Sequence, residues 1–584
     1  METLQLEAFA KPEVVAGHEL ENHHHKSDTD SLAPLGGNDA PHEDQIAADD
    51  VVDEYPSVVR RTIIVIGVAL ALFCVGIDLT IIATAIPKIT DQFSGIELIG
   101  WYGSSFFLAL ACFQPFWGKV YQYFSLKYTF ILAVFIFEIG SLLAGVCTAT
   151  NCYRAFAVQT LRQTDRQISP TGIAPSSTVL IVGRAITGVG GAGIATGGYA
   201  ILTVVARPEL RPIFTGLVTT VYSIANVIGP IMGGAFAEHS TWRWCFYVNL
   251  PFGGTSGVII FLFFGSQTSI RPKELVSLRE KISHLDVIGI TLALGSLICF
   301  VRALQVAGTT KPWNSSEVIG LLVGFVAMTL AFVLSQKLLH DRAMMVRKIL
   351  RMRIIIVGMI FGFLHEGGFF TILYALPIYF QAVSDVSPAQ AGVRNIPLLL
   401  SCGIGSIAAG LLVSKFKHYV PLMIWASGGG CIGTGLIYTL DVTSPSSQWI
   451  GYQVLAGLAF GTGLPLAIIS GQAYVKNEDL PSATAMLLFA FNVGSALALA
   501  AAQSILDNLL LKNLPELAPN VDPQAVIQAG ATEIRSTFAA DAVPGIVEAY
   551  LKGLRAVYVM IIAFTGAATL AAAANKWERL SLKK

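Results

Sequence analysis

Charge is what this chain has least of. Asp, Glu, Lys and Arg make up 13% of its 584 residues, while 54% are hydrophobic. Soluble domains carry about twice that charge, so a water-soluble fold is excluded. Lys and Arg together number 38, as do Asp and Glu. A zero balance offers no basic surface for nucleic acid. Paired metal-ligand spacing is also missing from the eight cysteines. Cys74, Cys112, Cys245, Cys299, Cys402 and Cys431 sit in or beside apolar stretches, where cysteine acts as a small apolar residue. Cys147 and Cys152 flank one predicted loop, where a disulfide is possible but not required. No apolar segment opens the chain, so no cleavable signal peptide is expected and the first apolar helix must direct insertion. Residues 1–60 are polar and acidic and read as a disordered cytoplasmic tail. His23, His24 and His25 belong to that tail and read as a polar tract, not a metal site.

What the chain has instead is long apolar runs and 55 glycines, which allow helices to pack closely in a bilayer. Runs of about 20 apolar residues are read as transmembrane helices. Fourteen are predicted, at 62–86, 98–118, 126–147, 179–204, 212–236, 244–265, 286–307, 316–338, 354–382, 390–412, 420–440, 449–472, 484–509 and 553–574. The fold class expected is therefore all-α and integral to the membrane.

Basic residues concentrate in alternate loops, and this sets the orientation. With the N-terminus inside, the inner loops and tails hold Arg60, Arg61, Lys119, Lys127, Arg207, Arg211, Arg279, Lys281, Arg347, Lys348, Lys415, Lys417 and Lys576. Both termini are then cytoplasmic, which an even span count requires. Outer loops 148–178 and 510–552 carry basic residues against the trend. Asn314-Ser315-Ser316 is a glycosylation sequon in a predicted outer loop, making Asn314 a candidate acceptor. The layout predicts a six-helix half at 61–265, a loop and two extra helices at 266–350, a second six-helix half at 351–575 and a cytoplasmic tail at 576–584.

The ionisable residues inside spans carry the most information. A charge at the bilayer centre costs at least about 3 kcal/mol, so each needs a partner or a wet cavity. Asp78 lies in the first span and Arg184 near the start of the fourth; Glu138 is in the third and Glu366 in the ninth. Arg184 reads either as a functional charge or as a snorkelling interface residue. Asp78 reads either as a proton carrier or as a residue that hydrogen-bonds a neighbouring helix to hold packing. Glu366 follows His365, and the two read either as a joint proton site or as a polar cavity patch. Glu138 has no evident partner and receives no role. Span five holds Gly229-Pro230-Ile231-Met232-Gly233-Gly234, in which the proline kinks the helix and the glycines admit a neighbour.

Together these segments resemble the major facilitator superfamily, specifically its fourteen-span drug:proton antiporters, from about residue 60 to about 575. Asp78 with Thr80 and Pro87 is similar to that group's first-span motif. Leu180 to Gly193 is similar to the fourth-span motif, and the resemblance gives Arg184 its proton-coupling role. Gly229, Pro230, Gly233 and Gly234 match the span-five antiporter motif associated with export. Trp242 to Pro251 and Leu376 to Gln381 follow the group's pattern too. The resemblance implies a proton-coupled exporter of a secondary metabolite, toxin or drug, working by alternating access, without cofactor and as a monomer. It implies the plasma membrane in preference to the vacuole, as fungal toxin-efflux members do. Asp78, Arg184 and Glu366 would couple protons. Trp101, Tyr102, Gln114, Tyr222, Tyr379 and Gln381 would line the substrate cavity, an aromatic and amide lining suited to a bulky, partly apolar solute.

Two segments depart from the pattern. After span two, family members carry an Asp-Arg pair; here Gln122 stands in the acidic place. Residues 148–178 replace a loop of a few residues, and read as translated non-coding sequence or as an insertion. Three rivals remain. An importer of the same fold, for a siderophore or an amino acid, is opposed by the span-five motif. A membrane enzyme would need clustered ligands at a membrane face, which the spans lack. A non-transporting sensor would need a structured cytoplasmic extension, and the tail shows no periodicity.

Overall fold

A backbone in oil must pair its own polar groups, and this chain does so inside helices. The computed structural model describes residues 55–82, 85, 89, 99–146, 177–265, 277–339 and 342–580. Pro87, the Cys147–Cys152 pair, His23 to His25 and nearly all of 148–178 lie outside the described residues; Ser177 and Thr178 already belong to a helix. Among the described residues, fourteen long helices make the bundle: α1 (Val58–Thr80), α2 (Ile99–Tyr123), α3 (Leu126–Val146), α4 (Ser177–Val205), α5 (Arg211–His239), α6 (Asn249–Phe263), α7 (Val287–Val306), α8 (Ser316–Leu338), α9 (Arg353–Ala382), α10 (Ile396–Phe416), α11 (Val420–Tyr438), α12 (Ser446–Tyr474), α13 (Leu480–Leu517) and α14 (Val543–Ala573). Among the described residues no strand occurs beyond an isolated bridge between Ala307 and Lys311.

Among the described residues, thirteen helical runs are long and apolar enough to cross a membrane. The remaining helix, α2, has the length, at 25 residues, but Ser104, Ser105, Gln114, Lys119 and Gln122 dilute its apolarity. It packs inside the bundle against α4 and α13, which brings the set to fourteen. Two boundaries differ from expectation. α13 continues to Leu517, and α14 begins at Val543, so much of the expected loop 510–552 is helical. Leu506, Leu510 and Leu514 explain the extension: four-residue spacing keeps one buried apolar stripe on a segment too polar to read as a span.

α1 to α6 pack mainly on one another, as do α9 to α14. The two sets meet along two seams, α2 against α13 and α5 against α10. Glycine makes the tightest crossings possible: a Cβ on Gly190 of α4 would run into the backbone of Phe137 on α3. α7 and α8 form a hairpin. Asp286 ties its base, accepting from Gly289 N, Gln336 Nε2 and Met344 N, each at 2.8 Å. Among the described residues, Val318 is the only one of α8's 23 that is buried. Ile319, Val323, Val326, Leu330, Leu334 and Leu338 on α8 are apolar and exposed, a surface suited to lipid.

Both ends of the bundle chain reach the same face. Arg60 at the start of α1 donates to the Phe263 carbonyl at the end of α6, and Arg61 lies over the Phe214 ring at the start of α5. Ser414 near the end of α10 reaches Glu209, just before α5, and Leu580 N donates to the Lys417 carbonyl. The end of α7 and the loop holding Asn314 lie at the other face. There Asn508 of α13 donates to the Ala307 carbonyl and accepts from Trp313 Nε1, both at 3.1 Å.

Candidate functional site: a buried ion pair and a central cavity

Asp78 on α1 and Arg184 on α4 are both fully buried and form an ion pair. Arg184 does not snorkel. Its Nη1 donates to the Asp78 carboxylate and, at 3.0 Å, to the Asp78 carbonyl. Its Nε donates to the Tyr102 carbonyl at 3.0 Å, and its guanidinium stacks 4.7 Å from the Phe106 ring centre. Two charges that would each be costly alone become tolerable as a pair with extra hydrogen bonds. The other carboxylate oxygen of Asp78 accepts from Asn249 Nδ2 at 3.1 Å. The same Nδ2 lies 3.3 Å from Ser141 Oγ on α3. A polar ladder therefore runs α4–α1–α6–α3 through an otherwise apolar core.

Glu366 is placed elsewhere. It lines a central cavity between the two sets of helices, with Gln114, Tyr222, Tyr199, Asn492 and Phe491. Asn492 Nδ2 donates to Gln114 Oε1 at 3.3 Å, so α13 and α2 share a hydrogen bond at the cavity wall. Of the two readings left open for His365 and Glu366, the side chains are not placed together as a joint site. Consecutive helical residues point about 100° apart. Glu366 faces the cavity, while His365 turns to the Phe460 carbonyl at 3.0 Å and stacks on Phe361.

Of the expected lining residues, Gln114 and Tyr222 are in this wall. Tyr102 instead lies under Arg184 and donates its hydroxyl to Ser177 at 2.9 Å. Tyr379 is buried and donates to the Asp441 carbonyl at 2.8 Å. Trp101 packs at the edge of the core, and Gln381 is half-buried near the end of α9. A second, larger cavity of about 490 Å³ lies toward the Asn314 face. Tyr374, Gln305 and Asp507 are among its walls, and Tyr374 donates to the Leu79 carbonyl at 3.1 Å, one residue from Asp78.

At the opposite face the altered loop after α2 meets α13. Gln122 Nε2 donates to Asp479 at 3.2 Å, and its Oε1 accepts from Ser482 at 3.3 Å. Lys348, just before α9, donates to the other Asp479 oxygen at 3.1 Å. An acid is thus present at this junction, supplied from across the seam while Gln122 supplies the amide. In α5 the span-five motif lies against α1. A Cβ on Gly229, the residue before Pro230 inside the helix, would strike the Thr80 hydroxyl, and Gly233 is buried.

Asn249, Ser141 and Asn492 were missed as site residues. Amides and hydroxyls add little to an apolar run's polarity, so they leave no gap in hydropathy. Asn249 sits inside the quoted Trp242 to Pro251 segment, and an amide within a span next to a glycine-rich turn was the signal available.

The chain matches the profile of the Major Facilitator Superfamily over residues 68–499. It is 42% identical to the MFS-type transporter grgE of a Penicillium species over 528 residues, covering 90% of this chain and 88% of that protein. It is 37% identical to the MFS-type efflux pump MFS1 of Arthroderma benhamiae over 529 residues, covering 90% and 93%. Among solved structures, the proton:xylose symporter XylE superposes with a TM-score of 0.53 at 13% identity, over 88% of this chain and 95% of that one. The human organic anion transporter MFSD10 gives 0.52 at 13% identity, over 88% and 100%. At such identity the structural likeness concerns the fold alone.

Proposed function

We infer, from the premise that this chain belongs to the Major Facilitator Superfamily and is a multi-pass membrane transporter, that it exports a bulky, partly apolar small molecule in exchange for protons. The observation that carries the reading is the Asp78–Arg184 pair, two opposite charges sealed in the helix core. In such a setting a proton arriving at Asp78 removes half of an ion pair and frees Arg184. α1 and α4, held together by that pair, then relax relative to one another. The two six-helix halves rock about the cavity lined by Gln114, Tyr222 and Glu366, exposing it to one face and then the other. Each proton moving down a membrane potential supplies about 2.3 kcal/mol per 100 mV, enough for a tenfold gradient of a neutral solute at about 1.4 kcal/mol.

Direction follows from two supports. Gly229, Pro230, Gly233 and Gly234 stand where the export-associated motif stands, and the relative MFS1 is named an efflux pump. The apolar and aromatic cavity wall suits a secondary metabolite, toxin or drug. The protein functions as a monomer in the plasma membrane, termini in the cytoplasm and Asn314 glycosylated outside. No cofactor beyond the proton gradient takes part.

The test uses inside-out vesicles holding the full chain, an imposed pH gradient, and two lipophilic dyes, rhodamine 6G and Nile red. Gradient-driven uptake of a dye is expected, with loss in Asp78→Asn and in Arg184→Ala. Uptake unaffected by collapsing the gradient, or unchanged in both variants, overturns the coupling. Uptake appearing only in right-side-out vesicles would make the chain an importer.

A further inference from the structure

Glu138 has no part in the reading above, yet its setting is unusual. It lies mid-helix in α3, one turn from Ser141, the residue that ends the Arg184–Asp78–Asn249 ladder. Both carboxylate oxygens are buried and accept no hydrogen bond. The side chain lies flat on α6 at Gly253, where a Cβ would collide with it. Gly253 is one turn from Asn249, so the two helices place Glu138 over Gly253 and Ser141 over Asn249 in parallel steps. A carboxylate seated so closely is not a stray surface group.

Charge counting gives it a role. The titratable groups that act on it are Asp78 and Cys74 on α1; Asp78 in turn has Arg184 on α4 and Cys245 on the short helix Trp244–Tyr247 beside it. α6 presents the neutral Asn249 and Gly253 on this side. The region thus holds two carboxyl groups and one guanidinium. Arg184 is committed to Asp78, and a second unpaired anion in oil is costly.

We propose that Glu138 is a second proton-binding site, coupled to Asp78 through Asn249 and Ser141. The inference rests on the proton-exchange reading and deepens it. In one state Asp78 is ionised against Arg184, and Glu138 holds the proton on its carboxyl oxygen. In the other, Asp78 holds a proton and Glu138 has released its own. Each state contains one cation and one anion, so the exchange leaves the net charge of the buried region unchanged. Asn249 does not carry the proton. Its amide follows whichever carboxylate is ionised, and Ser141 is the hydroxyl that answers at the Glu138 end.

The experiment needs no substrate. Full-length protein in lipid nanodiscs is examined by infrared spectroscopy for the protonated-carboxyl stretch, and by pH-jump for protons released per molecule. Glu138→Gln is expected to lose one protonated-carboxyl band at neutral pH, and Asp78→Asn to move that band or reduce its intensity. Glu138→Asp, which keeps the acid, restores a band, and thermal melting checks that all variants are folded. If Glu138→Gln misfolds, Gly253→Ala, which displaces the carboxylate without removing it, must shift the band's frequency. A band unchanged in Glu138→Gln, or in Gly253→Ala where that variant is used, overturns the proposal, as does a Glu138 signal indifferent to Asp78→Asn. Dye transport separates the two ideas: loss in Asp78→Asn with an unchanged infrared spectrum in Glu138→Gln sinks this inference and leaves the exchange reading standing.

Discussion

At the scale of single residues, the fold tolerates Arg184 only because Asp78 answers it. Removing one partner strands the other as a lone charge in the core. Arg184→Ala should therefore destabilise the protein by about 3–5 kcal/mol, and the double variant with Asp78→Asn should cost clearly less than the two singles added. Unfolding in bicelles, followed by tryptophan fluorescence, checks the cycle; additivity would mean the pair is not coupled. Arg184→Lys should fail to rescue, because one ammonium cannot serve both the Tyr102 carbonyl and the Asp78 carboxylate as the guanidinium does. The charges themselves were legible in the sequence, because an Asp or Arg inside an apolar run stands out by its insertion cost. The pairing was less so. Asp78 and Arg184 are 106 positions apart, and the neutral Asn249 that completes the site carries no such cost. For His365 and Glu366 the sequence left two readings open, because adjacency in sequence is not adjacency in a helix.

Elements hold together here through close backbone approach more than through side-chain bulk. Gly190 on α4 sits against the Phe137 backbone of α3, whereas nothing lies within reach of a Cβ on Gly435 of α11. Gly190→Ala should cost about 1–3 kcal/mol through overpacking. Gly435→Ala should stay within about 0.5 kcal/mol or stabilise slightly. Thermal melts of the two variants in the same lipid decide the point, and equal shifts would refute it. Helix existence was legible wherever a run was both long and apolar. α2 was recognised from its core of Phe106 to Trp117 even though its polar residues lower its hydropathy. The far end of α13 was not, because Lys512, Asn513 and Glu516 break the apolar run while Leu506, Leu510 and Leu514 keep the helix seated. Hydropathy reports the surroundings of a whole turn, and this segment has one apolar side only.

For the whole molecule, the contact of Gln122, Asp479, Ser482 and Lys348 closes the α2–α13 seam at the face where α1 begins. The larger cavity lies toward the other face. Breaking the closure by Asp479→Ala should shift the population toward opening at the α1-start face. Each hydrogen bond lost is worth about 0.5–1.5 kcal/mol, so a several-fold change in the ratio of states is expected. Spin labels at Tyr128 and Glu478 would report it as a longer distance component; an unaltered distribution would show the contact to be incidental. Sidedness has its own check. Asn314→Gln should abolish an endoglycosidase-sensitive gel shift, and a wild-type chain insensitive to the enzyme would remove the glycan from the reading. The acid missing after α2 was visible in the sequence; its replacement was not, since Asp479 comes from 357 positions away.

The α7–α8 hairpin gives the molecule a handed flank. α7 touches both α2 and α13, and Asn508 fastens its end to the Ala307 carbonyl, so one boundary between the halves is shuttered from the bilayer. Among the described residues the other boundary has no such shutter, and Leu217 of α5 and Leu400, Ile404 and Leu411 of α10 are exposed. A solute already dissolved in the lipid meets a two-helix wall when it drifts in from one flank and the closely packed α5–α10 seam itself from the other.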